Sequence, residues 1–266
     1  MSSAARMVPP DGALSTMEVL LAANRFMPVP PPELIFCGDG DYRAIGAEFL
    51  GHFVRLGGLA PHERMLDLGC GVGRMAVPLT QYLTAEGSYD GVDVAAPGIA
   101  WCARAITPVY PNFRFQRLDV AHPLYNAQGE AEAATVRLPF ADASFDFIAL
   151  VSVLTHLDPD AVANYAREIA RLLAPGGRCF ATAFLLNKPA RAGIVAGTAR
   201  PAFPVSDAPV LYADPEAPLA AVAYDEDTLL AAFLAAGLRR RNPAAYGHWS
   251  GRQGASFQDI NVFERS

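Results

Sequence analysis

The sequence predicts an α/β fold with a doubly wound, mostly parallel sheet. Short apolar segments alternate with segments of helical periodicity between residues 64 and 185. A glycine-rich turn follows the first apolar segment and an acid ends the second, which is typical of the carboxyl ends of parallel strands. Hydrophobic residues make up 52% of the 266 residues, too many for a disordered chain.

The chain is predicted to begin with an N-terminal arm over residues 1–32, which is rich in proline and glycine. Within it we expect a helix over 14–26, capped by Ser15. A second helix is predicted over 42–59, because its apolar residues recur at spacings of four and three.

Strands and helices are then expected to alternate, which predicts a parallel sheet with helices on both faces. The predicted strands cover residues 64–68, 89–94, 113–119, 145–151 and 178–185, and the helices cover 74–83, 95–106 and 160–173. A Pro-Gly-Gly sequence at 175–177 separates the last of these helices from the last of these strands.

The segment 187–222 interrupts this alternation, since it carries several prolines and glycines and shows no clear period. It is long for a loop inside a compact domain, so we predict a lid or a substrate-contacting insertion. A helix over 225–236 and two terminal strands over 238–245 and 256–264 follow. The main domain is therefore predicted to span residues 33–266.

The most informative segment is the glycine-rich turn after the first strand, which reads DLGCGVG at 67–73. Glycines at alternate positions let the backbone turn tightly and approach a ligand closely. The turn delivers that ligand to the N-terminus of the next helix. Asp93 ends the second strand, where a carboxylate can accept both hydroxyls of a ribose. Together these features predict an adenosine-binding site.

Such a site can bind either a dinucleotide or an adenosine cofactor that carries a cationic group. The dinucleotide fingerprint GxGxxG needs a third glycine where this sequence has Arg74. The pattern is instead DxGxGxG, and the acid Asp67 suits a cationic group, such as an amine, better than a pyrophosphate. An NAD(P)-dependent oxidoreductase is the alternative interpretation of the turn.

The sequence resembles the class I S-adenosylmethionine-dependent methyltransferases, because five motifs match in order. They are the turn at 67–73, YDGVDV at 89–94, LDV at 118–120, LPFADASFD at 138–146 and LLAPGGR at 172–178. One departure is the segment 121–137, since most relatives run from the acid of the third strand almost directly into the LPF motif.

The resemblance implies a Rossmann-like methyltransferase fold of seven strands, the last one antiparallel. It implies S-adenosylmethionine as the cofactor, no metal, and methyl transfer to a small molecule, most commonly to oxygen or nitrogen, by in-line displacement. The cofactor-binding residues that it implies are Asp67, Gly69, Cys70, Gly71, Gly73, Asp93, Val94, Asp119, Val120, Val151 and Ser152.

His156 is the candidate catalytic base, because it follows the fourth strand and titrates near physiological pH. The alternative is that it caps or packs against the helix that begins near Asp160. His248, Trp249 and Arg252 lie in a polar, aromatic loop and are candidates for a substrate-binding wall, with an ordinary exposed hairpin as the alternative.

Tyr42 and Arg43 follow a glycine-rich turn at 38–41 that is expected either to close over the cofactor or simply to cap a helix. The remaining histidines, His52, His62 and His122, are predicted to be structural or on the surface. Cys70 is interpreted as a small filler within the glycine turn.

The net charge of −6 argues against nucleic acid, whose binding requires a surplus of Lys and Arg. No apolar segment is long enough to span a membrane, and the four cysteines form no CxxC pair. We therefore expect a cytoplasmic enzyme, monomeric or homodimeric, without a membrane or nucleic-acid partner. A non-catalytic protein-binding module on the same fold is a further alternative.

Overall fold

The computed structural model describes residues 9–35, 38 and 40–265. They form two compact units, which join between Leu118 and Asp119. Cys37, Asp39 and the first eight residues of the predicted arm lie outside the described residues. Across the described part of the chain, no helix is both long and apolar enough to cross a membrane.

The first unit contains a small parallel sheet in which β2 pairs with β1 on one side and with β3 on the other. Its α-helices and strands in chain order are α1 (Asp11–Ala23), α2 (Tyr42–Arg55), β1 (Arg64–Leu68), α3 (Ala76–Leu79), β2 (Ser88–Asp93), α4 (Ala96–Ala105) and β3 (Phe113–Arg117). The apolar side chains of these strands are buried, as the sequence predicted. Tyr89 on β2 stacks on Phe113 of β3, with ring centroids 5.1 Å apart.

Helix α1 packs on α2 through polar contacts. Arg55 of α2 forms an ion pair with Glu18 of α1 at 2.5 Å and donates a hydrogen bond to Ser15. Ser15 therefore lies inside α1, and the prediction that it caps this helix is wrong, because the helix already begins at Asp11. Helix α2 has a side-chain cap, since Asp41 accepts a hydrogen bond from the Ala44 N–H at 2.7 Å.

The helix predicted over 74–83 is much shorter in the structure, where only α3 is helical and turns lie on both sides. Pro78 lies within this segment. It has no N–H to donate to the carbonyl of Arg74, and its ring crowds that carbonyl. The proline therefore disfavours helix in the residues before Ala76.

The second unit is organised around a long strand, β5. Its α-helices and strands are β4 (Phe145–Leu150), α5 (Pro159–Leu172), β5 (Leu173–Leu186), α6 (Lys188–Val195), β6 (Val210–Tyr212), β7 (Val222–Asp225), α7 (Glu226–Ala235), β8 (Leu238–Arg240) and β9 (Asp259–Arg265). Strands β4 and β7 pair with β5 in parallel, and β9 pairs with it antiparallel. Strand β8 pairs antiparallel with β9.

The predicted α/β class is confirmed, with an antiparallel last strand on a mostly parallel sheet. The described residues contain nine strands where the resemblance implied seven. The additional pair is β6 and β7, which pair antiparallel with each other. The strand predicted over 238–245 ends at Arg240, and the strand predicted over 256–264 begins only at Asp259.

The segment 187–222 contains regular structure that its sequence pattern did not indicate. It forms α6, β6 and a short 3-10 helix at Pro218–Ala220. Apolar residues of this segment pack with Trp249 and Phe184 in a core of their own. Packing against these rings, and not a local period, determines how this segment folds. Its role as a lid stays a prediction.

Candidate functional site

The glycine turn of the first unit requires left-handed backbone at three positions. Gly69, Gly71 and Gly73 have φ angles of 82°, 55° and 72°, a region in which a side chain is strained. The N–H groups of Gly69 and Cys70 both donate to the Val92 carbonyl, at 2.8 and 3.1 Å. The turn is therefore attached to the end of β2.

Asp93 connects this turn to the start of α4. One carboxylate oxygen accepts the Gly71 N–H at 2.8 Å, and the other accepts the Ala95 N–H at 2.7 Å. The side chain is half-buried. A carboxylate has about four lone-pair sites, so Asp93 can accept hydroxyl groups of a ligand in addition to N–H groups.

The first turn of α4 approaches the glycine turn closely. A Cβ atom on Gly98 would lie 2.6 Å from the Gly71 carbonyl oxygen, and one on Gly73 would lie 2.8 Å from the Cys102 sulfur. Glycine is therefore required on both sides of this contact. The backbone of the turn is fixed between β2 and α4.

Asp67 carries a buried oxygen without a partner. Its Oδ2 accepts a hydrogen bond from the Tyr89 hydroxyl at 2.5 Å, whereas Oδ1 has no hydrogen-bond partner among the described residues. Burial raises the pKa of Asp67 to about 7, although the Tyr89 hydrogen bond opposes this shift. A cationic or N–H-bearing ligand would satisfy the lone pairs of Oδ1, so this site fits the amino group of S-adenosylmethionine.

Tyr42 supports the turn from α2. Its hydroxyl donates to the Val72 carbonyl at 2.8 Å, and the Arg74 guanidinium lies over its ring, 5.9 Å from the centroid. Arg43, Arg74 and Tyr42 line a small cavity next to α1, and the Nε of Arg43 has no hydrogen-bond partner within the described chain. The segment that the sequence suggested as a cofactor contact therefore packs on the glycine turn.

Cys70 lies inside the turn and is buried. Burial raises the pKa of its thiol well above the ordinary value, so the sulfur stays protonated at neutral pH. Val94, which follows Asp93, is half-buried. Cys70 thus contributes a small side chain and a backbone N–H rather than a nucleophile.

In the second unit, Asp119 and Val120 lie directly before the segment 121–137. The Asp119 carboxylate is exposed and accepts a hydrogen bond from the Asn126 side chain at 3.3 Å. Val120 is buried and forms a parallel β-bridge with Ala131. The inserted segment therefore folds back onto the two residues from which it departs.

Ser152 follows β4 with a φ of 59°, which is unusual for a residue with a side chain. Its N–H donates to the Thr182 hydroxyl at 2.8 Å, and that hydroxyl donates to the Gln258 side-chain oxygen at 2.5 Å. Such strained backbone is typical of functional sites and needs support from its surroundings. Sequence reasoning found Ser152 beside half-buried Val151 but missed Thr182 and Gln258, which no local pattern connects with it.

His156 lies in a short 3-10 helix after β4. Its Nδ1 is 3.0 Å from the Leu219 carbonyl oxygen, which can only accept, so Nδ1 carries the proton and Nε2 carries the lone pair in the neutral ring. The cap of α5 is Asp158, which accepts the Ala161 N–H at 2.8 Å. Capping by His156 is therefore not observed.

The predicted substrate wall is built around Asp259. Trp249 is buried, and its indole N–H donates to Asp259 at 2.7 Å. Arg252 forms an ion pair with the same carboxylate at 2.5 Å and stacks on the Tyr246 ring. His248 is exposed beside Phe257. Of the three predicted residues, His248 therefore presents the largest exposed surface, and Trp249 supports the loop from inside.

A family model described as a methyltransferase domain matches residues 66–181. This range begins one residue before Asp67 and continues beyond His156 into β5.

Among curated proteins, the chain is similar to 27-O-demethylrifamycin SV methyltransferase of Amycolatopsis mediterranei, at 34% identity over 149 residues. The match covers 55% of this chain and 48% of the relative. The chain thus matches about half the length of that relative.

Two solved structures share the fold. The PH0226 protein of Pyrococcus horikoshii has a TM-score of 0.58 at 16% identity, covering 89% of this chain and 96% of that one. Magnesium protoporphyrin IX methyltransferase of Synechocystis PCC 6803, solved with bound S-adenosylhomocysteine, has a TM-score of 0.53 at 16% identity, covering 86% and 90%. These similarities support the Rossmann-like methyltransferase fold.

The structure separates the predicted site residues into groups. Asp67, Cys70, Asp93 and the three glycines converge in the first unit, and Ser152 and His156 lie after β4 in the second. His248, Trp249 and Arg252 form a separate cluster around Asp259. Sequence reasoning missed Tyr89 and Asp259, because their roles depend on partners distant in the chain.

Proposed function

We propose that this protein transfers a methyl group from S-adenosylmethionine to a small-molecule acceptor. The observation that carries the proposal is the buried Asp67, which lies next to a glycine turn fixed by Asp93 and has one oxygen without a hydrogen-bond partner among the described residues. The methyltransferase domain over 66–181 and the rifamycin-type relative support the same activity.

The cofactor would be held mainly by groups of the first unit. Asp67 would bind its amino group and Asp93 its ribose hydroxyls, while the backbone of Gly69, Gly71 and Gly73 would line the site. We further assign Val94, Asp119, Val120, Val151 and Ser152 to the cofactor by the family resemblance, with Cys70 contributing backbone.

The bound cofactor supplies a methyl group on a positively charged sulfur, which is a good leaving group. His156 would accept, on Nε2, the proton that an acceptor O–H or N–H loses as it attacks. The positive charge would then lie on the imidazolium, where the Leu219 carbonyl stabilises it through the Nδ1 proton. Burial lowers the pKa of His156 from its ordinary value, which favours the neutral ring that a base requires.

The acceptor side would include the loop at 246–255 and the segment 187–222. His248 would contact the acceptor directly, since it is exposed. Arg252 and Trp249 would hold the loop in place through Asp259. We assign this region to the acceptor because O-methylation and N-methylation require a pocket beside the methyl group, and we propose that 187–222 acts as a lid.

The setting that we propose is the cytoplasm, with a monomer or homodimer as the active form and no nucleic-acid or membrane partner. Support comes from the net charge of −6 and from Cys70, Cys102 and Cys179, which are free thiols.

Calorimetric titration with S-adenosylmethionine tests the proposal. We expect saturable binding by the wild type and an affinity at least ~10-fold weaker in Asp93→Ala, because hydrogen bonds to a carboxylate are strong. Asp90→Ala is the matched control, since Asp90 lies on the same strand and pairs with Arg114. Absence of binding to the wild type would contradict the proposed function.

A further inference from the structure

Two aromatic rings lie against the proposed base, His156. The rings of His122 and Tyr125 are stacked, with centroids 4.8 Å apart and an interplanar angle of 27°. His156 presents its ring at nearly right angles to both, with centroid distances of 6.3 Å to His122 and 5.6 Å to Tyr125. His122 and Tyr125 belong to the segment 121–137, the one part of the domain that departs from the family's motif spacing.

His122 is held in a defined tautomer. Its Nδ1 accepts a hydrogen bond from the Leu124 N–H at 3.2 Å, so the ring proton lies on Nε2. Nε2 is 3.0 Å from the carbonyl oxygen of His156, to which it donates. His122 is also buried, with 8% of its surface exposed. Its ring therefore fixes the backbone from which the His156 side chain projects.

The segment that carries these rings is tied down along its length. The N–H of Ala121 donates to the Ala131 carbonyl at 2.8 Å, and the Asn126 side chain donates to the Val120 carbonyl at 3.0 Å. Its far end is held from α5, where the Asn164 side chain donates to the carbonyls of Ala133 and Val136. A segment held by these hydrogen bonds can keep a neighbouring ring in a fixed position.

We propose that the segment 121–137 is a positioning element for the catalytic base. In it, His122 and Tyr125 hold His156 so that Nδ1 donates to Leu219 and the Nε2 lone pair is available for the acceptor proton. This inference rests on the proposed function for the role of the base, but the positioning itself is a property of the folded chain. It assigns a role to the segment 121–137, for which the sequence predicted none.

The charged and titratable groups around His156 are consistent with this role. His122 and Tyr125 face it from the insertion, Asp158 follows it in the chain, and the Tyr224 hydroxyl of β7 donates to the neighbouring Leu157 carbonyl. Burial lowers the pKa of His156, the Leu219 hydrogen bond opposes that shift, and nearby His122 lowers the pKa further. Protonation of His122 would break its bond from Leu124, because Nδ1 would become a donor.

Nitrogen-15 NMR of the full-length protein tests the positioning without an acceptor. In the wild type we expect neutral His156 to be protonated on Nδ1 and neutral His122 on Nε2. His122→Phe removes the donor to the His156 carbonyl, so His156 should change to a mixture of tautomers. His122→Gln places an amide N–H near the position of Nε2, so it should restore the wild-type tautomer. Tyr125→Leu should likewise change His156 to a mixture of tautomers.

His62→Phe is the matched control for the loss of an imidazole, since His62 is exposed in the other unit. It should leave the His156 signals unchanged. S-adenosylhomocysteine binding, measured on the same samples, reports whether each variant is folded and whether the proposed cofactor is used.

Unchanged His156 tautomers in both His122→Phe and Tyr125→Leu would overturn the positioning role. So would a wild-type His156 that is protonated on Nε2 when neutral. A wild type that binds no S-adenosylhomocysteine would contradict the proposed function instead, and the tautomer result would still decide the positioning.

Discussion

Asp67 shows how strongly a single residue depends on its surroundings. The motif places an acid two residues before the first glycine, but the motif does not state that this acid is fully covered. Within the described part of the chain Oδ1 has no hydrogen-bond partner, and burial raises the pKa of the carboxyl to about 7 against the opposing effect of the Tyr89 hydrogen bond. A ligand cation at this position would favour the ionised form.

Cofactor binding should therefore release a proton from Asp67. The free protein holds this proton below about pH 7, whereas the bound amino group would lower the pKa of the carboxyl. Affinity for S-adenosylhomocysteine should accordingly fall as the pH decreases from about 7 to 5. Calorimetry at pH 6 in buffers of different ionisation enthalpy should show the release of nearly one proton.

Asp67→Asn provides the comparison, because it keeps the shape of the side chain and cannot titrate. Its binding enthalpy should be independent of the buffer between pH 5 and pH 7. If the wild-type enthalpy were equally independent of the buffer, the interaction of Asp67 with a cationic group would be refuted.

At the residue scale, the sequence identified residues that belong to a motif. It missed residues whose role depends on contact with a distant part of the chain. Asp67 and Asp93 were found because their spacing from the glycines is regular. His122 was predicted only to be structural or on the surface, since nothing in its neighbourhood connects it with His156, which lies 34 positions later in the chain. Contacts between distant residues leave no local pattern.

At the scale of elements, the glycine turn was predicted well because conformation and sequence are directly linked there. Only glycine adopts left-handed backbone readily, so DxGxGxG predicts the turn itself. The helix after the turn was predicted too long: α3 covers only Ala76–Leu79, and Pro78 disfavours helix in the residues before it. Regular structure in 187–222 was missed because tertiary packing stabilises it.

Two glycines with the same φ allow the cost of backbone strain to be measured apart from the cost of close packing. Gly73 and Gly176 both have φ near 72°, but a Cβ on Gly176 would meet nothing within 4 Å, whereas one on Gly73 would meet the Cys102 sulfur at 2.8 Å. Gly176→Ala should lower the free energy of unfolding by about 1 kcal/mol, from backbone strain alone. Gly73→Ala should lower it by roughly 2–4 kcal/mol, because overpacking adds to the strain.

Urea denaturation of the two variants measures this difference. Gly73→Ala should also weaken S-adenosylhomocysteine binding, whereas Gly176→Ala should not. Equal losses of stability in both variants would show that close packing of α4 against the turn adds nothing to the cost of Gly73→Ala.

At the scale of the whole molecule, Asp259 shows how segments distant in the sequence are joined within the second unit. Its carboxylate accepts hydrogen bonds from the Leu185 and Gly247 N–H groups, both at 2.8 Å, as well as from Trp249 and Arg252. Strand β5, the loop at 246–255 and the start of β9 thus meet at one buried acid.

Replacement of this acid should destabilise the second unit. Asp259→Asn leaves Arg252 without its ion-pair partner and cannot accept all four hydrogen bonds, so we expect a loss of about 3 kcal/mol. Asp90→Asn is the matched control, because its partner Arg114 is 60% exposed, and it should cost less than about 1 kcal/mol. Chemical denaturation followed by tryptophan fluorescence measures both, and similar small losses would contradict the central role of Asp259.

The sequence by itself determined the α/β class, the order of most strands and helices, and the glycine turn with its two acids. These features depend on local periodicity, backbone conformation and regular spacing, which a single chain records directly. The tertiary structure alone decided which residues support the site: Tyr89 beneath Asp67, His122 and Tyr125 around His156, and Asp259 within the loop of Trp249. Each of these contacts joins residues brought together by packing, and packing depends on shape and burial that local sequence does not specify.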